Sequence, residues 1–152
     1  MKNFRVGNII EVNGHLTVIY ECCNNVIWFY DSRGDVDFLE IHDKRIKDVE
    51  ISKFLLDKMF TKELRFDHDN FYYVWIINTK LKIEIREAIE GFNILCTGFE
   101  MFKIFSVRQL QNVYAMLWEN PIIGCRVESN NETPYELDIK LNTILKISSY
   151  EF

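Results

Sequence analysis

The stretch Ile9-Ile10-Glu11-Val12-Asn13-Gly14-His15-Leu16-Thr17-Val18-Ile19-Tyr20-Glu21-Cys22 decides what kind of fold this chain can adopt. Asn13-Gly14 is the dipeptide that most readily takes positive φ at both central positions of a hairpin turn, and apolar or β-branched residues flank it on both sides. It predicts a strand over Ile9–Val12 that returns from His15 to Cys22. Asn24-Asn25 supplies a second tight turn before Val26-Ile27-Trp28-Phe29-Tyr30, whose unbroken apolar character suits a strand covered on both sides. Ser32-Arg33-Gly34-Asp35 is a third turn, in which the glycine supplies positive φ; the Arg-Gly-Asp triplet carries no adhesion role in a chain expected inside the cell. Val36 and Phe38 then alternate with Asp35 and Asp37 to open a fourth strand. Such short, closely spaced strands predict a small, strongly bent sheet of the SH3-like barrel kind.

Further along, Ser52 has the position of a helix N-cap, with Ile51 and Leu56 placed to close a hydrophobic staple. Leu55, Leu56, Met59 and Phe60 share one face, so this short helix is expected to plug an open end of the sheet. The segment containing Lys62, Glu63, Asp67, His68 and Asp69 reads as a charged connection. Strands are predicted over Phe71–Ile77, Leu81–Arg86 and Phe92–Thr97; in the middle one Leu81, Ile83 and Ile85 alternate with Lys82, Glu84 and Arg86. Ser106 and Gln109 have capping-box spacing, and Phe105 with Leu110 forms a second staple. Val107, Leu110, Val113, Tyr114, Leu117 and Trp118 follow as an apolar helical stripe that Asn120-Pro121 ends. The tail predicts a strand over Ile122–Val127, a turn at Ser129–Pro134, an alternating strand over Tyr135–Leu141 and a last strand over Ile144–Tyr150. The fold class is therefore α+β and β-rich, with one short and one longer amphipathic helix. Residues 1–152 form one domain, with 1–60 and 61–152 as candidate sub-lobes.

Composition narrows the function. A chain of 152 residues with 48% hydrophobic and 14% aromatic content, two prolines and six glycines is globular. The N-terminus has no secretory pattern, and the longest apolar run, Phe71 to Ile77, is far below the ~20 residues of a membrane span. A soluble, cytoplasmic protein without a membrane partner is expected. Cys22, Cys23, Cys96 and Cys125 form no disulfide framework, since neighbours in an extended strand point to opposite faces. A formal net charge of −5 argues against broad, sequence-independent nucleic-acid binding.

No catalytic, metal or cofactor motif stands out. Asp67-His68-Asp69 with Glu63 holds metal-binding residue types, but extended backbone sends His68 opposite to the two aspartates. His15 and His42 have no Ser, Cys or carboxylate at catalytic spacing, and Cys22-Cys23 lacks the basic surroundings of a reactive thiol. The glycines are isolated and open no phosphate-binding loop. Lys44, Arg45 and Lys47 are balanced by Asp43, Asp48 and Glu50. The binding hint is aromatic: Phe71, Tyr72, Tyr73 and Trp75 crowd one strand, and such side chains favour protein interfaces and single-stranded nucleic-acid platforms.

The segment Ser106-Val107-Arg108-Gln109-Leu110-Gln111-Asn112-Val113-Tyr114 resembles a helix of small uncharacterised proteins from bacterial phages and mobile elements, written Val-His-Gln-Leu-Gln-Asn-Leu-Tyr there. Arg108 stands where that family has histidine. Arg5-Val6-Gly7-Asn8 is similar to the family's Arg-Ile-Gly-Asn start, and Ile51–Phe60 to its short central helix, so the likeness covers about residues 5–120. The resemblance implies origin more than function; together with the acidic balance and the empty catalytic inventory it leads to the expectation of a bacterial cytoplasmic, non-enzymatic protein that binds a host protein or nucleoprotein complex, such as an inhibitor of a CRISPR effector. Tyr73, Trp75, Arg108, Gln109, Gln111 and Asn112 are the partner-binding candidates. The alternative is a small-barrel accessory protein that contacts nucleic acid directly.

Overall fold

The computed structural model describes residues 3–79, 82–97, 99–119 and 133–147. In chain order these form β1 (Ile9–Val12), β2 (His15–Val18), β3 (Glu21–Cys23), β4 (Val26–Tyr30), β5 (Val36–Glu40), β6 (Ile46–Asp48) and α1 (Lys53–Met59). There follow β7 (Thr61–Asp67), β8 (Asn70–Asn78), β9 (Ile83–Glu87), β10 (Phe92–Cys96), β11 (Phe99–Ile104), α2 (Val107–Glu119) and α3 (Pro134–Ile144). The strands make three antiparallel sheets, ordered β2-β1-β6, β3-β4-β5 and β11-β10-β9-β8-β7. The architecture is α+β and rich in strand.

Three two-residue turns set the hairpins, and each has positive φ at both central residues: Asn13 and Gly14 (51° and 78°), Asn24 and Asn25 (50° and 63°), His68 and Asp69 (45° and 69°). That geometry matches the right-handed twist of the strands it joins. The first two fall where the sequence puts them. The third corrects the charged connection: residues 61–67 are a strand, and only His68 and Asp69 form the loop.

The first forty-eight residues fold as two three-stranded sheets, with no closed barrel among the described residues. The break lies between Ile19, whose N–H donates to the Asn8 carbonyl at 2.9 Å, and Tyr20, whose N–H donates to Trp28 at 3.0 Å. Consecutive residues thus serve different sheets. β6 finishes on β1 and leaves β5 as an edge, so the ladder never closes. Between these sheets lies a small core of Ile10, Val12, Ile19, Ile27, Phe29, Leu39 and Ile46.

The larger core lies between the five-stranded sheet and the helices. It takes Ile9, Val18 and Ile51 from the first part of the chain, Trp75, Ile85 and Ile94 from the sheet, and Leu56, Leu110, Tyr114, Leu137 and Leu141 from the helices. α1 begins where expected, with Ser52 Oγ accepting the Leu55 N–H at 3.1 Å. α2 carries both halves of its capping box: Ser106 Oγ accepts from Gln109 N at 3.2 Å, and Gln109 Oε1 accepts from Ser106 N at 3.1 Å.

Tyr135–Leu141, read as a strand, is helical. Thr133 caps it by accepting the Glu136 N–H at 3.1 Å, and Pro134 opens its first turn. Ile144 closes this helix and Lys146 turns with φ 56°, so no strand starts there; residues 148–150 lie outside the described residues. The expected strand Ile122–Val127, Leu81 at the start of its strand, and residues 129–132 of the polar turn also lie outside them. β11 adds a strand that the sequence reading omitted.

Candidate partner-binding surface

The segments Arg5–Ile9 and Arg108–Asn112 meet in space, and their polar residues are spent on each other and on Asp138 and Asp48. Gln111, wholly buried, donates through Nε2 to the Gly7 carbonyl and to Asp138 Oδ1, both at 2.8 Å, and accepts the Ile9 N–H at 2.9 Å. Arg5 reaches the same carboxylate with two nitrogens at 3.3 Å. Asn8 donates to Asn112 Oδ1 at 2.8 Å. Arg108 holds Asp48 with Nε at 2.8 Å and Nη2 at 3.2 Å, and donates to the Asn3 carbonyl at 2.8 Å. Burial pushes the Asp138 carboxyl above the ordinary aspartate value, while Arg5 and Gln111 pull it back by favouring the charged form. Gly7 sits at φ 96°, and a Cβ there would lie 2.5 Å from Asp138 Oδ2. The motif is thus a clamp that ties the start of β1 to α2 and α3.

This assigns places to the sequence candidates. Arg108 and Gln111 are buried in the clamp, Asn112 is half-buried at its edge, and Gln109 caps α2. Trp75 is 1% exposed in the larger core, where its indole N–H donates to Asp57 at 2.8 Å. That bond is the main reason the Asp57 carboxyl lies below its ordinary value. Tyr73 alone among the six is well exposed, and it has company that the sequence reading missed.

β7 and β8 pair over their whole length, setting Leu64 opposite Tyr73 and Phe66 opposite Phe71. β9 pairs with β8 only as far out as Val74, so the distal part of the hairpin, 64–67 with 70–73, is a two-stranded ribbon. Side chains two apart share a face. Leu64, Phe66, Phe71 and Tyr73 therefore continue the same side of the sheet that carries Trp75 into the core, but they lie past the core. Their exposures are 52%, 59%, 69% and 50%. Phe66 and Phe71 touch, with ring centroids 4.9 Å apart, and Lys62 Nζ lies 4.4 Å from the Tyr73 ring centre. Counting aromatic side chains at about 200 Å² each, the four leave roughly 400–500 Å² of apolar surface in water, as large as the patches that mark interaction sites. The opposite side of the ribbon is polar, with Arg65 bridging Glu63 at 3.3 Å and also paired with Glu84.

A recess of about 1090 Å³ lies elsewhere, between β2, the stacked Tyr20 and Tyr30, and α3; His15, Trp118, Asp138 and Asn142 line it. Its margin includes Glu119 and Thr133, on either side of residues outside the description. Among the described residues no three His, Cys, Asp or Glu side chains gather to hold a metal ion, and no helix is long and apolar enough to cross a membrane. Comparison with protein-family models, curated proteins and solved structures gives no match.

Proposed function

We propose that this chain is a non-enzymatic interaction protein that docks through the apolar face of the β7–β8 ribbon on an apolar protein surface with a basic rim. The observation that carries this is the contiguous exposure of Leu64, Phe66, Phe71 and Tyr73 on a part of the hairpin that, among the described residues, pairs with no third strand. A two-stranded ribbon is marginal by itself, so a covered face suits it better than an open one. Glu63, Asp67 and Asp69 around the tip outnumber Lys62 and Arg65, which favours basic groups at the partner's edge. The resemblance of Arg5-Val6-Gly7-Asn8 and Val107–Tyr114 to phage and mobile-element proteins supports a host complex, such as a CRISPR effector, as the partner.

The test is affinity purification of the tagged chain from a bacterium that carries such a defence complex, beside Phe71→Ser and the distant exposed-site control Phe38→Ser. The complex should come down with the original chain and the control and be lost with Phe71→Ser. Equal recovery with all three, or no complex with any, refutes the proposal.

A second reading has one observation behind it: the exposed Phe66–Phe71 pair, with Lys62 over the ring of the neighbouring Tyr73, has the side chains to stack bases of single-stranded nucleic acid. Retention of single-stranded DNA or RNA at low salt, weakening as salt rises and lost in Tyr73→Ala, would favour it over the protein partner.

A further inference from the structure

β7 is an edge strand of seven residues with no bulge in its pairing to β8. Its turn, with positive φ at both His68 and Asp69, makes Asp67 and Asn70 a hydrogen-bonded pair. Bonded and non-bonded pairs alternate along an antiparallel ladder. The backbone N–H and C=O of Lys62, Leu64 and Phe66 therefore face outward from the free edge. Edges of this kind are usually blunted by a proline, a bulge, shortness or charge; β7, which no other described strand covers, has only charge, and its charges alternate in sign between Glu63 and Arg65.

The strand also fits itself. When Thr61-Lys62-Glu63-Leu64-Arg65-Phe66-Asp67 runs antiparallel to a second copy with Leu64 on the twofold axis, all seven residues pair and the outward backbone groups meet in register. Glu63 then stands opposite Arg65 of the second copy, and Arg65 opposite its Glu63. Lys62 meets Phe66, and Leu64 meets Leu64. Moving the axis by one residue ruins this arrangement, because Glu63 or Arg65 would face its own like charge.

We propose that two copies of this chain associate edge to edge through β7, forming one continuous ten-stranded sheet with Leu64 at the dyad. The occupant of the edge is a second copy because the charge pattern is complementary under twofold symmetry, which an unrelated strand has no reason to match. Antiparallel pairing about such an axis keeps like faces together, so both sets of Leu64, Phe66, Phe71 and Tyr73 lie on one side. The marginal ribbons become a four-stranded centre, β8-β7 against β7-β8. The inference rests on the free edge and goes beyond the partner reading, which rests on the face.

The experiment is light scattering and sedimentation of the full chain from about 5 to 500 µM, a range that covers the weak association expected of a small interface. Leu64→Lys and Leu64→Glu, at a half-exposed position, are measured alone and mixed in equal amounts, with far-UV circular dichroism confirming the fold. The original chain should pass from monomer to dimer, each variant should stay monomeric over the whole range, and the mixture should regain a dimer holding one of each. A monomer throughout for the original chain, a dimer undiminished in either variant, or a mixture that stays monomeric would each overturn the proposal. Phe71→Ser, on β8 and away from the edge, should keep the dimer even where it loses a partner, which separates this inference from the function proposed above.

Discussion

Replacing Gln111 with leucine tests whether the polar cluster of Arg5, Gln111 and Asp138 is a clamp. The substitution keeps volume and helix propensity but deletes four hydrogen bonds of the Gln111 side chain: donations to the Gly7 carbonyl and to Asp138, and acceptances from the Ile9 N–H and, longer at 3.4 Å, from Asn8 Nδ2. The buried Ile9 amide is left without its partner, Asn8 keeps Asn112, and the half-buried Gly7 carbonyl lies beside the recess. Each unsatisfied buried group costs about 1–3 kcal/mol, and the carboxylate still has Arg5, so a loss of about 2–4 kcal/mol is expected. For a domain of this length that is a fall of roughly 10 °C in Tm. Urea unfolding followed by far-UV circular dichroism gives the number. A second signature follows from protons: the Asp138 carboxyl is already raised by burial, and Gln111 is one of the groups holding it down. A group with a raised folded pKa costs stability as pH rises through that pKa. The deficit of Gln111→Leu should therefore be larger at neutral pH than below the ordinary aspartate value of 3.8. A variant within about 0.5 kcal/mol of the original chain, the range of ordinary surface changes, refutes the clamp; so does a deficit that shrinks with rising pH.

Gly7→Ala should lose about 2–4 kcal/mol, because alanine is strained at positive φ and its Cβ would displace Asp138 Oδ2; thermal unfolding checks it. Gln109→Ala removes the acceptor of the Phe105 and Ser106 N–H groups, and should cost about 1 kcal/mol, visible as faster hydrogen exchange confined to the first turn of α2. Asp43, held by Arg45, should titrate at about 2 by carbon-detected NMR and return toward the ordinary 3.8 in Arg45→Ala. Because that pKa is depressed, whatever stability the pair adds is present above pH 4 and lost as pH falls through about 2.

The legible parts of the sequence were those where one local signal was strong and unopposed. Asn13-Gly14 and Asn24-Asn25 gave their hairpins, and the reciprocal Ser106–Gln109 spacing gave the start of α2. Tyr135–Leu141 misled because two periods coincide there: Tyr135, Leu137, Ile139 and Leu141 alternate as in a strand, while only Leu137 and Leu141, four apart, are buried. Thr133, Pro134 and Glu136 carried the deciding helix signal, a capping box with proline in the first turn. β7 was hidden by its charges. Leu64 and Phe66 alternate with Glu63, Arg65 and Asp67, but a ribbon with neither face in the core offers charge and apolarity in equal measure. The polar residues of α2 read as partner-binding candidates because nothing in the sequence shows an internal partner for them; only the fold brings Gly7, Ile9 and Asp138 against Gln111. The bent sheet expected for the first part of the chain is divided into two sheets at Ile19-Tyr20, where neighbouring N–H groups bond to different sheets, a choice no local pattern encodes.

Arg5 and Asp138 are 133 positions apart. During synthesis the Asn13-Gly14 hairpin can form as soon as its two strands emerge, yet the carboxylate that fastens the segment before it is made 133 positions after Arg5. Contacts so remote along the chain form slowly, and until this one forms a nascent chain carries a finished hairpin with a loose leading edge. Ribosome-stalled chains released before α3 has emerged should keep that edge open to protease.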